Sequence, residues 1–196
     1  NMKYMADYYL AHSLSSSSCK WPNLPYPYND SVESGIYDGD MILGKGYLQP
    51  DKAGSFGFEL VHLYKKTGNK KYLDAAIKIA NTLAEKVRPG DNDHSPWPFK
   101  VNAETGEPGV IVDQEVWYEG MSKDIGKKKA IVKRSEYTTN WTGTLELFNE
   151  LIALHLGDDG AYRRAFEITL NWLKAYPVKT NKWGPFFKDV PRFSDT

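Results

Sequence analysis

The sequence predicts a mainly α-helical protein in which helical hairpins stack side by side and the long loops gather at one end of the stack. The first observation is an internal repeat. A set of residues recurs in the same order about 90 positions later, namely Phe58, Val61, Tyr72, Ala75, Asn81 and Leu83, followed by Phe148, Leu151, Tyr162, Ala165, Asn171 and Leu173. The second observation is that short turns join the helical segments within each copy, whereas a long, aromatic-rich segment separates the copies. Such a distribution of loops on a repeated scaffold predicts a single functional face.

The helical segments follow from apolar residues at helical spacing. They are predicted over residues 1–13, 54–66, 70–87, 142–156 and 161–175. In the third segment, for example, Tyr72, Ile79 and Leu83 fall on one stripe. The first helix of each hairpin begins with small residues such as Gly54 and Gly143, which permit crowding near a shared axis or the close approach of a ligand.

The segment between the hairpins predicts a small β meander. Residues 96–103, the turn at 104–107, residues 109–119 and residues 130–139 read as strand, tight turn, strand and returning strand. We therefore expect a β-meander insertion at about residues 96–139 that projects from the end carrying the long loops.

The composition is that of one folded, soluble domain, or part of one, over residues 1–196. It is 41% hydrophobic and 26% charged, with a formal net charge of zero. A neutral chain argues against nucleic acid as a partner, because phosphate binding needs a concentrated excess of Lys and Arg. We also expect no membrane insertion, because no apolar run reaches the roughly 18 residues that span a bilayer. The single cysteine, Cys19, excludes an intrachain disulfide framework.

Five short stretches carry a resemblance to a known family. They are the inner-helix sequence at 54–60, the Thr-Gly-Asn turn at 67–69, the outer-helix start at 71–76, the strand at 97–101 and the Thr-Gly-Glu turn at 105–107. Together they are similar to the six-hairpin glycosidase superfamily, whose members build an (α/α)6 toroid and process carbohydrates. The resemblance implies an incomplete α/α toroid of about two and a half helical hairpins. The rest of the toroid, or a second copy of the chain, is then expected to complete it.

The long loops supply candidate sugar-binding aromatics. In such toroids the cleft lies at the long-loop end, and aromatic faces suit the apolar faces of sugar rings. The predicted substrate-binding residues are Trp21, Tyr37, Trp97, Trp117, Tyr137, Trp141, Trp183 and Phe187. The alternative for each ring is a structural one, in which it pins a long loop to the scaffold.

The same loops carry candidate catalytic groups. Glycosidic bond hydrolysis by the usual route needs two carboxyl groups, so Asp38 and Asp40, beside an aromatic and a flexible glycine, are the predicted pair. A turn uses the same residues, and that is the alternative. His94 is the predicted acid or base among the histidines. The other acidic residues on this face are Asp51, Asp91, Asp93, Glu104, Asp113, Glu115, Glu119 and Asp189. Neither histidine nor acidic spacing indicates a metal site, and we expect no metal and no cofactor.

The sequence thus predicts a carbohydrate-processing protein, with glycoside hydrolysis of an oligo- or polysaccharide as the favoured activity. A polysaccharide lyase on a related toroid is one alternative. It is favoured by a basic cluster suited to acidic sugars, comprising Lys123, Lys127, Lys128, Lys129, Lys133 and Arg134. A helical-repeat binding scaffold of the tetratricopeptide kind is the other, although such repeats follow one another directly. The expected location is periplasmic or extracellular in a bacterium, with the cytoplasm as the alternative.

Overall fold

The computed structural model describes residues 2–27, 37–40, 43–109, 138–181 and 184–187, and confirms a mainly helical protein. Its helices are α1 (Met2–His12), α2 (Pro50–Thr67), α3 (Lys70–Lys86), α4 (Thr142–Ala153) and α5 (Asp159–Ala175). They match the five predicted segments, so the repeat corresponds to two helical hairpins that follow a single helix. Helix α2 begins four residues before its predicted start. Pro50 lies in its first turn, where the backbone N–H that proline lacks would have no helical partner.

Local capping explains why the hairpins turn so tightly. Gly68 ends α2 in the left-handed conformation with a φ of 69°, and its N–H donates to the Tyr64 carbonyl. The Asn69 side chain then accepts a hydrogen bond of 3.1 Å from the Lys71 N–H at the start of α3. Asp158 caps α5 in the same way, by accepting from the Ala161 N–H at 2.9 Å.

The inner helices α2 and α4 lie side by side in the same direction. Gly54 contacts Thr144 near their amino ends, and an ion pair joins Lys65 to Glu150 near their carboxyl ends. A Cβ atom on Gly54 would lie 2.7 Å from the Thr144 Cα, and one on Gly143 would lie 2.7 Å from the Ser55 Cα. The small residues predicted at both helix starts therefore allow two helix backbones to approach closely.

One tyrosine hydrogen bond recurs between the helices. Tyr162 Oη on α5 donates to Asn81 Oδ1 on α3 at 2.5 Å, and Tyr72 Oη on α3 donates to Asp7 Oδ1 on α1 at 2.6 Å. Tyr72 and Tyr162 are equivalent positions of the internal repeat. The repeated tyrosine thus bonds to an earlier helix in both copies, although α3 and α5 pack closely whereas α1 and α3 share few contacts.

Three short antiparallel strand pairs accompany the helices. They are β1 (Gly39–Asp40) with β2 (Gly44–Lys45), β3 (Tyr47–Leu48) with β4 (Val101–Asn102), and β5 (Val178–Asn181) with β6 (Gly184–Phe187). Within residues 96–109 the predicted first strand is reduced to β4, whose main partner is β3 from the preceding loop. Residues 110–137 lie outside the described residues, and with them the rest of the predicted meander. Among the described residues, every helix is too short or too polar to span a bilayer.

Candidate functional site at the amino ends of α2 and α4

A polar cavity of about 450 Å³ opens where α2 and α4 begin. Its walls are formed by Gln49, Asp51, Lys52, Phe99, Thr138, Thr139, Asn140 and Thr142. The close crossing at Gly54 and Gly143 brings the two helix starts together, so residues from both copies of the repeat line one space. This volume lies within the range of small-ligand sites, and its lining is rich in amide and hydroxyl groups.

Asp51 is the acidic group of this cavity. It lies in the first turn of α2 and is 2% exposed. Its Oδ2 accepts a hydrogen bond of 3.1 Å from Asn140 Nδ2, whereas its Oδ1 has no hydrogen-bond partner within the described residues. Burial raises the pKa of the Asp51 carboxyl above its ordinary value, and the Lys52 charge and the accepted hydrogen bonds offset this only in part. The group therefore holds its proton to higher pH than a surface aspartate does.

Unpaired polar atoms concentrate around the same helix starts. Within the described part of the chain, four buried side-chain polar atoms lack a hydrogen-bond partner, and three belong to Asp51, Trp141 and Thr144. Trp141 directly precedes α4, and Thr144 lies in its first turn. Of these three residues only Asp51 lines the cavity, and its unpaired Oδ1 is the atom for which water or a ligand could supply a partner.

Asp40, one of the two predicted catalytic carboxylates, lies behind the cavity wall. It is fully buried and pairs with Lys100, whose Nζ lies 2.5 Å from Asp40 Oδ2. The same carboxylate accepts hydrogen bonds from the Gln49 side chain and from the Leu43 N–H. Burial alone would raise the pKa of Asp40, but the Lys100 hydrogen bond together with the Leu43 and Gln49 hydrogen bonds outweighs burial and lowers it. Asp40 is therefore ionised, and both of its carboxylate oxygens accept hydrogen bonds behind the wall of the cavity.

The other two predicted catalytic residues do not line this cavity. Asp38 is partly exposed and lies 3.9 Å from Lys45 Nζ, across the β1–β2 turn. His94 Nδ1 lies 2.8 Å from Asp91 Oδ1, which also accepts the His94 backbone N–H and so closes a tight surface turn. Catalytic roles for these residues stay predictions, and the structure gives both of them turn contacts.

Three predicted sugar-binding tryptophans are core residues. The rings of Trp97 and Trp141 lie 4.8 Å apart, both fully buried, and Trp97 Nε1 donates to the Leu83 carbonyl at 2.8 Å. Trp21 is 6% exposed and packs in the same core. None of these rings offers an open face within the described structure, since each fills space between a loop and the helices.

The remaining aromatic candidates are placed only in part. Tyr37 packs against Tyr9 of α1, with ring centroids 4.7 Å apart. Trp117, Tyr137 and Trp183 lie outside the described residues. Phe187 ends β6, and its side chain is likewise outside the description. Among the described residues, the one aromatic that lines the cavity is Phe99, from the predicted strand at residues 97–101.

The sequence places Asp51 among the acidic residues of the loops but does not distinguish it as a catalytic candidate. Gln49 and Asn140 are not among the predicted site residues. The late predicted start of α2 placed Asp51 in a loop rather than in a helix turn. The internal repeat carried the signal that was needed, because it aligns Asn140 with the segment that begins α2. Equivalent helix starts that meet through small residues must also bring their flanking polar residues together.

Comparison of the chain with protein-family models, curated proteins and solved structures found no match. Within the described residues, no three His, Cys, Asp or Glu side chains gather in a way that would hold a metal ion. What the cavity does must therefore be argued from its own chemistry.

Proposed function

We propose that this protein processes carbohydrate, that oligosaccharide binds in the cavity at the amino ends of α2 and α4, and that Asp51 is the proton donor in glycosidic bond hydrolysis. The observation that carries this proposal is the Asp51 carboxyl, which is buried in a polar cavity with one oxygen unpaired and with a raised pKa. A general acid in this reaction needs those properties, because it must be protonated near the working pH and face the leaving oxygen.

The lining of the cavity suits a sugar. Three threonines and the amide side chains of Gln49 and Asn140 supply hydroxyl and amide groups for hydrogen bonds to sugar hydroxyls. Phe99 supplies an aromatic surface for the apolar side of a ring. Among the described residues that line the cavity, the exposed Lys52 is the one that carries a positive charge.

The helix arrangement agrees with the toroid that the resemblance to six-hairpin glycosidases implies. Parallel α2 and α4, each followed by an antiparallel outer helix, are what two neighbouring hairpins of such a ring require. The cavity lies beside the loops that precede the inner helices, which is the end where the cleft of such a toroid is expected.

In the proposed reaction, the Asp51 carboxyl gives its proton to the glycosidic oxygen as the bond from that oxygen to the anomeric carbon breaks. The leaving sugar departs as an alcohol. A water molecule adds its oxygen to the anomeric carbon and gives a proton to a second carboxylate. Asp51 is the one acidic residue among the described residues that line the cavity, so in this proposal the second carboxylate comes from outside this set. The same observation favours glycan binding without hydrolysis as the second candidate function.

The test combines glycan-array binding with reducing-sugar release from the bound glycan. We expect Asp51→Asn to keep binding, since the amide has the same shape, and to abolish release, since it cannot give up a proton. Asp159→Asn, which changes an exposed carboxyl in the first turn of α5, is the matched control and should alter neither. Release by Asp51→Asn at the wild-type rate would refute the catalytic role. Binding without release by the wild-type chain would support the second candidate.

A further inference from the structure

A buried ion pair stands directly behind the cavity wall. The Lys100 and Asp40 side chains are 3% and 0% exposed, and their charged atoms lie 2.5 Å apart. Removing either charge would leave the other buried without compensation, which is strongly unfavourable, so the pair holds both side chains in place. The Asp40 carboxylate also accepts the Leu43 N–H at 3.0 Å, which ties it to the turn between β1 and β2.

This pair fixes the orientation of the Gln49 amide. Gln49 Nε2 donates to Asp40 Oδ2, and an ionised carboxylate accepts hydrogen bonds but cannot donate them. The NH₂ end of the amide must therefore face the ion pair. Because Gln49 lines the cavity, its carbonyl oxygen, at the other end of the amide, is the acceptor that it can offer to a ligand. Although Gln49 immediately precedes α2, its side chain makes no capping hydrogen bond to the helix.

We propose that the Lys100–Asp40 ion pair holds Gln49 as a hydrogen-bond acceptor in the cavity, and that Gln49 selects ligands that present a hydroxyl group to it. This inference rests on the proposed function for the identity of the ligand as a sugar, and it narrows the substrate class to sugars that are neutral at this position. Asp40 and Lys100 are positioning residues, since they do not line the cavity and act through Gln49.

The selection follows from matching donors to acceptors. A sugar hydroxyl donates to the Gln49 carbonyl oxygen, whereas the carboxylate of a uronic acid offers only acceptor oxygens and is repelled. A sugar that lacks the hydroxyl leaves the carbonyl unpaired, which corresponds to a loss of about tenfold in affinity. The cavity is thereby tuned to neutral glycans rather than to the acidic polysaccharides that a lyase cleaves.

The first arm of the test needs no ligand. In the ¹⁵N-labelled full chain, the side-chain NH₂ of Gln49 should exchange slowly with water, because one of its protons is held by Asp40. Asp40→Asn should remove this protection, and Asp38→Asn, the same change two residues away, should retain it. A Gln49 amide that exchanges freely in the wild-type chain would overturn the proposal.

The second arm leaves the ion pair intact, because Asp40→Asn unpairs Lys100 and is expected to lower stability. Glucose, galactose and mannose serve as hydroxyl probes, and acetate serves as an acceptor-only probe. At millimolar concentrations at least one sugar should shift the Gln49 side-chain ¹³C resonance, acetate should not, and Gln49→Met should weaken sugar binding about tenfold. A shift with acetate, or with none of the sugars, would overturn the proposal. If both arms succeed but no oligosaccharide is cleaved, the hydrolase proposal fails while the role of Gln49 stands.

Discussion

The Asp51 carboxyl shows how one buried residue links stability to function. Its pKa is raised chiefly by burial, so the folded state prefers the protonated form. A group of this kind contributes stability that is fully present below its unfolded pKa and is lost as the pH rises through its folded pKa. Above its folded pKa the ionised carboxylate therefore opposes folding, a cost that its position in the cavity requires.

We predict that Asp51→Asn makes the chain more stable than wild type at neutral pH, and that this gain disappears as the pH falls below the unfolded pKa of aspartate. The amide oxygen still accepts the Asn140 hydrogen bond, and the side chain can no longer ionise. Urea unfolding of both proteins across this pH range measures the difference in free energy of unfolding.

Asp159→Asn is the control, because its effect on the free energy of unfolding should change with pH in the opposite direction. Its hydrogen bond with Arg163 lowers the pKa of Asp159, so its contribution is present above the unfolded pKa and is lost as the pH falls. If Asp51→Asn were instead least stable relative to wild type at neutral pH, Asp51 would not have a raised pKa.

At the scale of elements, the crossing of α2 and α4 determines where the cavity forms. A methyl group on Gly54 or Gly143 would meet the backbone of the opposite helix at 2.7 Å, closer than real contacts of this kind. Thr144 Oγ1 could rotate away from such a methyl group, but the Cα atoms of Ser55 and Thr144 move only if a whole helix moves.

We predict that Gly54→Ala and Gly143→Ala each lower the free energy of unfolding by about 1–3 kcal/mol, because overpacking pushes the helices apart. Gly160→Ala in the first turn of α5 is the matched control. The nearest atom to its new Cβ is 3.7 Å away, and the change should be neutral or stabilising by up to about 1 kcal/mol. Denaturant unfolding measures all three, and a stable Gly143→Ala protein would show that the helices are not in close contact.

The elements also show what the sequence could predict. Helices were predictable because their periodicity, capping residues and short turns are local signals, as Gly68 and Asp158 illustrate. The pairing of β3 with β4 was not, because it joins two-residue strands more than fifty positions apart. The predicted turn at residues 104–107 is local and is present, since Val101 also forms an antiparallel bridge with Pro108. The sequence also could not determine whether Trp97 and Trp141 are buried, since an aromatic residue in a long loop either packs in the core or binds a ligand.

Over the whole molecule, the internal repeat organises both the fold and the candidate site. Tyr72 and Tyr162 occupy equivalent positions and each donates a hydrogen bond to an earlier helix, and the close crossing of α2 and α4 brings the starts of these two helices together. Both repeat units therefore contribute residues to the cavity, and neither hairpin alone could form it. The sequence predicts the loops that precede these helices as the functional end and favours Asp38 and Asp40 over Asp51, because the burial that distinguishes these carboxyls depends on contacts between distant segments.

The most direct test of this account is a map of backbone amide chemical shifts over the whole chain during titration with an oligosaccharide selected on the glycan array. We predict that the perturbed residues cluster around Gln49, Asp51, Phe99 and Asn140, and that Asp51→Asn retains this pattern. Perturbations that centre on the His94 turn or on α1, or no perturbation by any array-selected glycan, would contradict the assignment of this cavity as the carbohydrate site.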